Sequence, residues 1–183
     1  MSANDPLLSN RQAEILILQA MRLDRPVIGH CLGGQLMARA LGGTIGASPE
    51  PEIGWQSIEY TDAPETSTWF GSTPTPIVIQ WHYETFSIPA GATRLAGSAA
   101  CPNQAFAIGP HLAMQFHIEI NEAKIDSWVN DDDDKWADAR SLYNSVQDKI
   151  TILSGIPYHL EQHQATADCI YTNWLKPTEW SVV

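Results

Sequence analysis

Residues 29–35, with the sequence Gly-His-Cys-Leu-Gly-Gly-Gln, contain a side chain that could act as a nucleophile. They follow the apolar run Pro26-Val27-Ile28 and precede residues 35–41, whose composition favours a helix. Small residues around a Cys or Ser allow the sharp strand-to-helix turn that exposes a nucleophile above a sheet. A helix N-terminus also favours the thiolate, the reactive form of cysteine. We therefore predict that Cys31 is a catalytic nucleophile rather than a small buried apolar residue.

A candidate base lies downstream, in residues 112–119 (Leu-Ala-Met-Gln-Phe-His-Ile-Glu). The alternation of apolar and polar side chains predicts a strand, on which His117 and Glu119 share a face. The carboxylate of Glu119 could accept the N–H of His117 and stabilise the imidazolium that forms when His117 takes a proton from Cys31. A purely structural His–carboxylate pair would be preferred if Cys31 were absent. Together the residues predict a Cys-His-Glu triad.

The hydrophobic pattern predicts the secondary structure around these residues. Ser9 or Asn10 could cap a helix with Ala13, Leu16, Ala20 and Leu23 on its buried face, and the helix should end before Pro26. The chain then alternates short apolar runs with turn residues and becomes helical near its end. The predicted strands are 57–60, 77–81, 94–98, 104–108 and 112–117, with a hairpin turn at 109–111, and the predicted helices are 122–130, 136–153 and 158–175.

The Gly-His-Cys-Leu-Gly-Gly-Gln and Gln-Phe-His-Ile-Glu segments resemble those of the class I glutamine amidotransferases, in particular the stand-alone members that are similar to the amidotransferase part of GMP synthase. Residues 52–55 (Glu-Ile-Gly-Trp), 81–86 (Trp-His-Tyr-Glu-Thr-Phe) and 89–92 (Pro-Ala-Gly-Ala) resemble further family segments in the expected order. The resemblance implies an α/β fold, a flavodoxin-like three-layer sandwich with a nucleophile elbow and a helical C-terminal tail. We expect one domain over 1–183, with the α/β catalytic part in 1–120 and the helical part in 121–183.

The same resemblance implies roles for four residues around the substrate. The backbone N–H of Leu32 would donate to the oxyanion. Gly33 and Gln35 would line the glutamine pocket, and the segment of His82 would lie beside it, largely through backbone contacts. No metal or organic cofactor is required by this chemistry. His159 and His163 have the four-residue spacing of helical metal ligands, but no further ligand is evident, and we predict a solvated helix face.

Two departures from the family pattern stand out. Ile118 occupies the position between the catalytic His and Glu where the family usually has Pro, and a strand tolerates Ile well. Residues 1–6 resemble those that follow the Gly-Gly-Pro loop of the family. We therefore expect the N-terminal strand–helix units of the family to be missing from this chain, which would remove one oxyanion donor and leave a sheet edge uncovered.

Composition restricts the partners and the compartment. The chain has 183 residues, 44% of them hydrophobic, and a formal net charge of −11, which predicts a soluble globular protein. This charge disfavours binding to nucleic acid or to an anionic membrane surface, and no apolar run is long enough to span a bilayer. The odd number of cysteines (Cys31, Cys101 and Cys169) predicts no disulfide framework and a cytoplasmic location.

Three functions remain open at this stage. The first is hydrolysis of the side-chain amide of L-glutamine to glutamate and ammonia through a γ-glutamyl thioester. The second is a γ-glutamyl peptidase acting on γ-glutamyl peptides such as glutathione conjugates. The third is a catalytically weak or silent subunit. The expected partners are the small-molecule substrate and either an ammonia-accepting synthase or a second copy of the chain.

Overall fold

The computed structural model describes residues 1–71, 75–131 and 134–176. The remaining positions of the predicted 121–183 helical part, 132–133 and 177–183, lie outside the described residues. Within the described ranges, strands and helices follow one another in a mixed order. The strands are β1 (Ile28–His30), β2 (Ile45–Ser57), β3 (Glu59–Tyr60), β4 (Ile77–Phe86), β5 (Thr93–Gly97), β6 (Ala105–Ile108) and β7 (His111–Met114). The helices are α1 (Leu8–Arg22), α2 (Leu32–Ala40), α3 (Pro64–Phe70), α4 (Glu122–Val129), α5 (Asp134–Leu142) and α6 (Lys149–Trp174).

The strands form two sheets. The larger has the order β1-β7-β6-β5-β3, and the smaller is an antiparallel pair of β2 and β4. In the larger sheet β1 and β7 run parallel, whereas the other neighbouring pairs are antiparallel. Because the carboxyl ends of parallel strands meet at one edge of a sheet, the residues that follow His30 and Met114 emerge side by side.

Most predicted strands exist, with shifted ends. The predicted hairpin is confirmed as β6 and β7, joined by Gly109-Pro110, and Gly109 adopts a φ of 53°. The predicted strand 112–117 is too long, because β7 ends at Met114. The residues from 111 to 118 are all buried, so the polar side chains of this run do not face solvent on one side of a sheet. The 13-residue strand β2 contains the Glu-Ile-Gly-Trp segment. Most of it precedes the predicted strand 57–60 and was not predicted as a strand.

Helix α1 differs from its prediction in cap and in orientation. Leu7 occupies the N-cap position without a side-chain hydrogen bond, and Asn10 lies inside the helix, where its Nδ2 donates to the carbonyl of Ser2 at 3.0 Å. Leu16 and Leu23 were predicted to be buried, but they are 63% and 69% exposed. The face of α1 that contacts the core instead carries Ile17 and Met21.

The helical part is divided differently from the prediction. The predicted helix 136–153 is interrupted after Leu142, and α6 then runs through Pro157 to Trp174. Asp148 begins α6 by accepting a hydrogen bond from the Thr151 N–H at 2.7 Å. Ala167 and Ile170 of α6 pack in the same buried cluster as Leu112 and Phe116, so this helix is part of the wall behind the larger sheet. No helix of the described residues is long and apolar enough to span a membrane.

Candidate active site

Cys31 lies at the corner between β1 and α2. Its backbone has φ 44° and ψ −108°, a left-handed conformation that a residue with a side chain rarely adopts. The Cys31 N–H donates to the carbonyl of Met114 at 2.9 Å, which ties the corner to the end of β7. This is the strained strand-to-helix turn expected for an exposed nucleophile.

The glycines on either side of Cys31 differ in whether a larger side chain could replace them. A Cβ on Gly29 would lie 2.7 Å from the backbone of Gly33, and a Cβ on Gly34 would lie 2.6 Å from the carbonyl oxygen of Met114. Neither neighbour can move without displacing the strand or the helix. A Cβ on Gly33 would meet no atom within 4 Å. Gly29 and Gly34 therefore permit the close approach of β1, α2 and β7, whereas the space beside the Gly33 Cα is open.

His117 and Glu119 follow β7 and converge on Cys31. The backbone N–H of His117 donates to the carbonyl of Ile79 at 2.9 Å, which attaches this segment to β4. The Nδ1 atom of His117 lies 2.5 Å from Oε1 of Glu119, and the side chain of His117 is close enough to Cys31 for the thiol to raise its pKa. The three predicted triad residues are thus brought together, but by an irregular segment beyond the strand rather than by strand alternation.

The electrostatics of the three groups favour a protonated His117. Burial alone would lower the pKa of His117, but hydrogen bonds to Cys31 and Glu119, together with the charges of these groups, raise it to about 9. The pKa of Glu119 is lowered: burial opposes its ionisation, but the hydrogen bond to His117 and the charge of His117 outweigh it. The arrangement can therefore hold a proton on His117 at neutral pH, ready for a leaving group.

The predicted substrate-binding residues Leu32 and Gln35 differ in whether their polar groups are available to a ligand. Leu32 is the first residue of α2, so its N–H belongs to the set of helix N-terminal donors that lack an intrahelical acceptor. Gln35 is buried, and its Nε2 donates to the carbonyl of Glu84 at 3.0 Å and to Oε1 of Gln115 at 3.3 Å. Gln35 thus contacts protein groups rather than an open pocket.

Gln115 is a contact that sequence reasoning missed. Its Nε2 lies 3.6 Å from the sulfur of Cys31 while its Oε1 is held by Gln35. The amide therefore gives the sulfur a fixed donor. Its position two residues before His117 was the available signal, because the predicted strand 112–117 would have put both side chains on one face.

His82 turns its ring away from the sulfur. Its side chain is 1% exposed, and Nε2 lies 3.1 Å from Oε2 of Glu52. Glu52 is equally buried and also accepts hydrogen bonds from Ser98 at 2.7 Å and from Gln104 at 2.5 Å. The neighbouring residue, Trp81, brings its carbonyl oxygen within 3.9 Å of the Cys31 sulfur. The segment therefore reaches the site through its backbone, and the Glu52 network anchors that backbone.

Aromatic rings border His117 on the outer side. The ring of Trp128, on α4, meets the His117 ring edge-on at a centroid distance of 4.8 Å. Trp128 also packs on Trp81 at 5.4 Å, and the Lys124 ammonium lies over the Trp128 ring. Because Trp128 follows the His117–Glu119 segment in another element, no sequence motif placed it here.

The structure corrects the prediction for His163. This residue is completely buried on α6, packs edge-on against Trp55 and lies close enough to Glu119 to feel its charge. Burial lowers the pKa of His163 to about 4, so the ring is neutral. In the part of the chain that the structure describes, no group of three or more His, Cys, Asp or Glu side chains could hold a metal ion.

A family model described as glutamine amidotransferase class-I matches residues 5–130. The chain belongs to the class-I glutamine amidotransferase family. The matched residues include the elbow, the segment of His82 and the His117–Glu119 segment, so the resemblance drawn from the motifs is confirmed.

Curated relatives of this chain differ in their named activities. The chain is 33% identical over 137 residues to the glutamine amidotransferase-like protein YfeJ of Salmonella typhimurium, which covers 74% of this chain and 57% of that protein. It is 30% identical over 128 residues to the glutamine-hydrolyzing GMP synthase of Aeropyrum pernix, covering 65% of this chain and 24% of the synthase. It is 34% identical over 107 residues to gamma-glutamyl peptidase 3 of Arabidopsis thaliana, covering 55% and 43%. The matched region thus spans between 24% and 57% of the length of these three relatives.

A solved structure confirms the predicted fold class. The chain superposes on the crystal structure of a glutamine amido transferase from Methylobacillus flagellatus with a TM-score of 0.87 and 32% sequence identity. The match covers 100% of this chain and 75% of that one. The α/β architecture with its elbow is therefore that of the class I glutamine amidotransferases.

Proposed function

We propose that this protein hydrolyses the side-chain amide of L-glutamine through the Cys31, His117 and Glu119 side chains. The observation that carries the proposal is the contact of a strained, helix-terminal Cys31 with a histidine that is itself hydrogen-bonded to a carboxylate. In this proposal Cys31 is the nucleophile, His117 is the general acid and base, and Glu119 orients His117.

The reaction proceeds in two balanced steps. The Cys31 thiolate attacks the γ-carbonyl carbon, the C–N bond breaks, and the proton on His117 goes to the departing nitrogen, which leaves as ammonia. A γ-glutamyl thioester remains. His117, now neutral, takes a proton from water, the hydroxide attacks the thioester, and glutamate leaves while the thiolate is restored. The Leu32 N–H, at the start of α2, would donate to the oxyanion in both steps.

A γ-glutamyl peptidase is the second candidate, and one feature favours it. The Trp128 ring lies against His117, the group that would protonate the leaving amine. A leaving group larger than ammonia would therefore meet an aromatic surface with which it could pack. The similarity to gamma-glutamyl peptidase 3 supports the same candidate.

Partners are proposed on the exposed face of α1. This face carries the exposed side chains of Leu8, Ile15 and Leu16, and the exposed Leu23 follows the helix. An ammonia-accepting synthase or a second copy of the chain could bury this apolar surface. Sedimentation of the protein and of Leu16→Lys distinguishes them: a second copy gives a dimer that the variant weakens, and an unrelated partner leaves both as monomers.

The function is tested by product release from a panel of L-glutamine and γ-glutamyl peptides. We expect glutamate from at least one substrate with the native protein and none with Cys31→Ala. Cys169→Ala is the matched control, because the Cys169 sulfur contacts the carbonyl of Phe70 on α3 rather than the triad. Product formation that persists in Cys31→Ala, or that is absent from the native protein with every substrate, would contradict the proposal and favour a silent subunit.

A further inference from the structure

Glu119 has a second neighbour besides His117. Its Oε1 is 2.5 Å from His117, and its Oε2 is 3.5 Å from Nδ1 of His30, the residue before the nucleophile. The Glu119 side chain is 35% exposed, so a single hydrogen bond leaves it free to turn toward water. The triad geometry therefore depends on whatever restrains Oε2.

His30 also contacts a residue that is distant in the sequence. Its Nε2 lies 3.0 Å from the hydroxyl of Tyr171, and the two rings meet edge-on at 5.9 Å. Tyr171 belongs to α6 and follows Ile170, which is completely buried in the core. The hydroxyl therefore has a fixed position relative to the sheet.

The protonation states of this pair follow from its burial. Burial lowers the pKa of His30; the charge of Glu119 opposes this effect and the charge of His117 adds to it, so the ring is neutral at neutral pH. Burial, followed by the charge of Glu119, raises the pKa of Tyr171 to about 12, so the hydroxyl keeps its proton. A protonated hydroxyl donates to Nε2, and the ring proton must then lie on Nδ1. Nδ1 is buried, has no hydrogen-bond partner among the described residues and faces Oε2 of Glu119.

We propose that Tyr171 and His30 are positioning residues for the triad: Tyr171 selects the Nδ1–H form of His30, and this N–H attracts Oε2 of Glu119 across 3.5 Å so that Oε1 stays on His117. The inference rests on the proposed function, because it assigns these residues to the same Cys31-centred reaction. It links the C-terminal helix α6 to the nucleophile through side chains alone. The titratable groups that face Glu119 are His117, His30, His163 and Tyr171.

Three variants separate positioning from packing. His30→Leu removes the donor but keeps a branched side chain of similar reach. His30→Asn restores it, because the amide nitrogen of Asn is attached where Nδ1 is attached in His. Tyr171→Phe removes only the hydroxyl that selects the His30 tautomer. Tyr158→Phe is the matched control, since Tyr158 lies on the same helix and is 80% exposed.

The expected result is a loss in kcat with little change in KM. Removing a group that orients a catalytic ligand typically lowers activity by about 10–100-fold. We expect that loss in His30→Leu and Tyr171→Phe, recovery of most activity in His30→Asn, and native activity in Tyr158→Phe. Adding Tyr171→Phe to His30→Leu should cost little more, because Tyr171 acts through His30.

A titration that needs no turnover provides the second measurement. NMR of the histidine rings should show His117 titrating near pH 9 in the native protein and at lower pH in His30→Leu and Tyr171→Phe, because a released Glu119 no longer stabilises the imidazolium. The ring nitrogens of His30 should report a proton on Nδ1. A proton on Nε2, or an unchanged His117 titration in both variants, would overturn the proposal. If the native protein lacked Cys31-dependent activity, the proposed function would fail while this titration still decided the role of His30.

Discussion

Replacing Glu119 by Gln removes the negative charge beside His117 and keeps the size of the side chain. The Nδ1 atom of His117 lies 2.5 Å from Oε1 of Glu119, and an amide oxygen can occupy that place without its charge. Loss of an adjacent opposite charge moves a pKa by roughly 1–3 units, and exposure of the Glu119 side chain places the change at the lower end, about 1–2 units. We therefore expect the pKa of His117 to fall from about 9 toward its ordinary value near 6.5.

The consequence for the rate should be large. Removing the charge that stabilises the imidazolium of a triad typically lowers kcat by on the order of 10²–10⁴-fold. The assay is glutamate release with the best substrate of the panel, together with NMR titration of the His117 ring. Glu122→Gln is the matched control, because Glu122 is an exposed residue in the first turn of α4. A Glu119→Gln protein with activity within twofold of native and an unshifted His117 would refute the assigned role.

Three further predictions concern the nucleophile, the elbow and pH. Cys31→Ala should abolish product release without lowering the melting temperature, whereas Cys101→Ala and Cys169→Ala should retain activity; substantial turnover by Cys31→Ala would refute the assignment. Gly34→Ala should lower the free energy of unfolding by about 1–3 kcal/mol because its Cβ meets the Met114 carbonyl, whereas Gly33→Ala should change it by less than about 1 kcal/mol in chemical denaturation. Because the pKa of His117 is raised to about 9, its ring keeps the proton below that pH and loses it above. We therefore expect kcat/KM to fall as pH rises through about 9. A fall centred near pH 6.5 would contradict the assignment.

The sequence placed the elbow correctly because its signals are local. Pro26 to Ile28, the glycines and the helix-forming residues after Cys31 lie within a short stretch, and each constrains the backbone of its neighbours. The hairpin of β6 and β7 was predictable for the same reason, since Gly109 supplies the left-handed turn. His117 and Glu119 were brought to Cys31 as expected, although the strand proposed to align them ends at Met114.

The features that were missed depend on contacts between distant parts of the chain. Pro157 indicates a helix boundary when read locally, but α6 continues through it, because packing of the helix against the sheet outweighs the local preference. The contacts of His30 with Tyr171 and of His117 with Trp128 join residues with no regular spacing. His163 was predicted to lie on a solvated helix face because no further metal ligand accompanies it in the sequence, but Trp55 of β2 packs against its ring.

The assignment of Cys31 as the nucleophile is tested most directly by mass spectrometry after reaction with an electrophilic diazo-ketone analogue of glutamine, which alkylates the attacking sulfur with loss of N2. The Cys31, His117 and Glu119 arrangement predicts one covalent adduct, on the peptide that contains Cys31. Excess L-glutamine should slow its formation, and Cys31→Ala should not form it. An unmodified Cys31, or equal modification of Cys101 and Cys169, would contradict the assignment of Cys31 as the nucleophile.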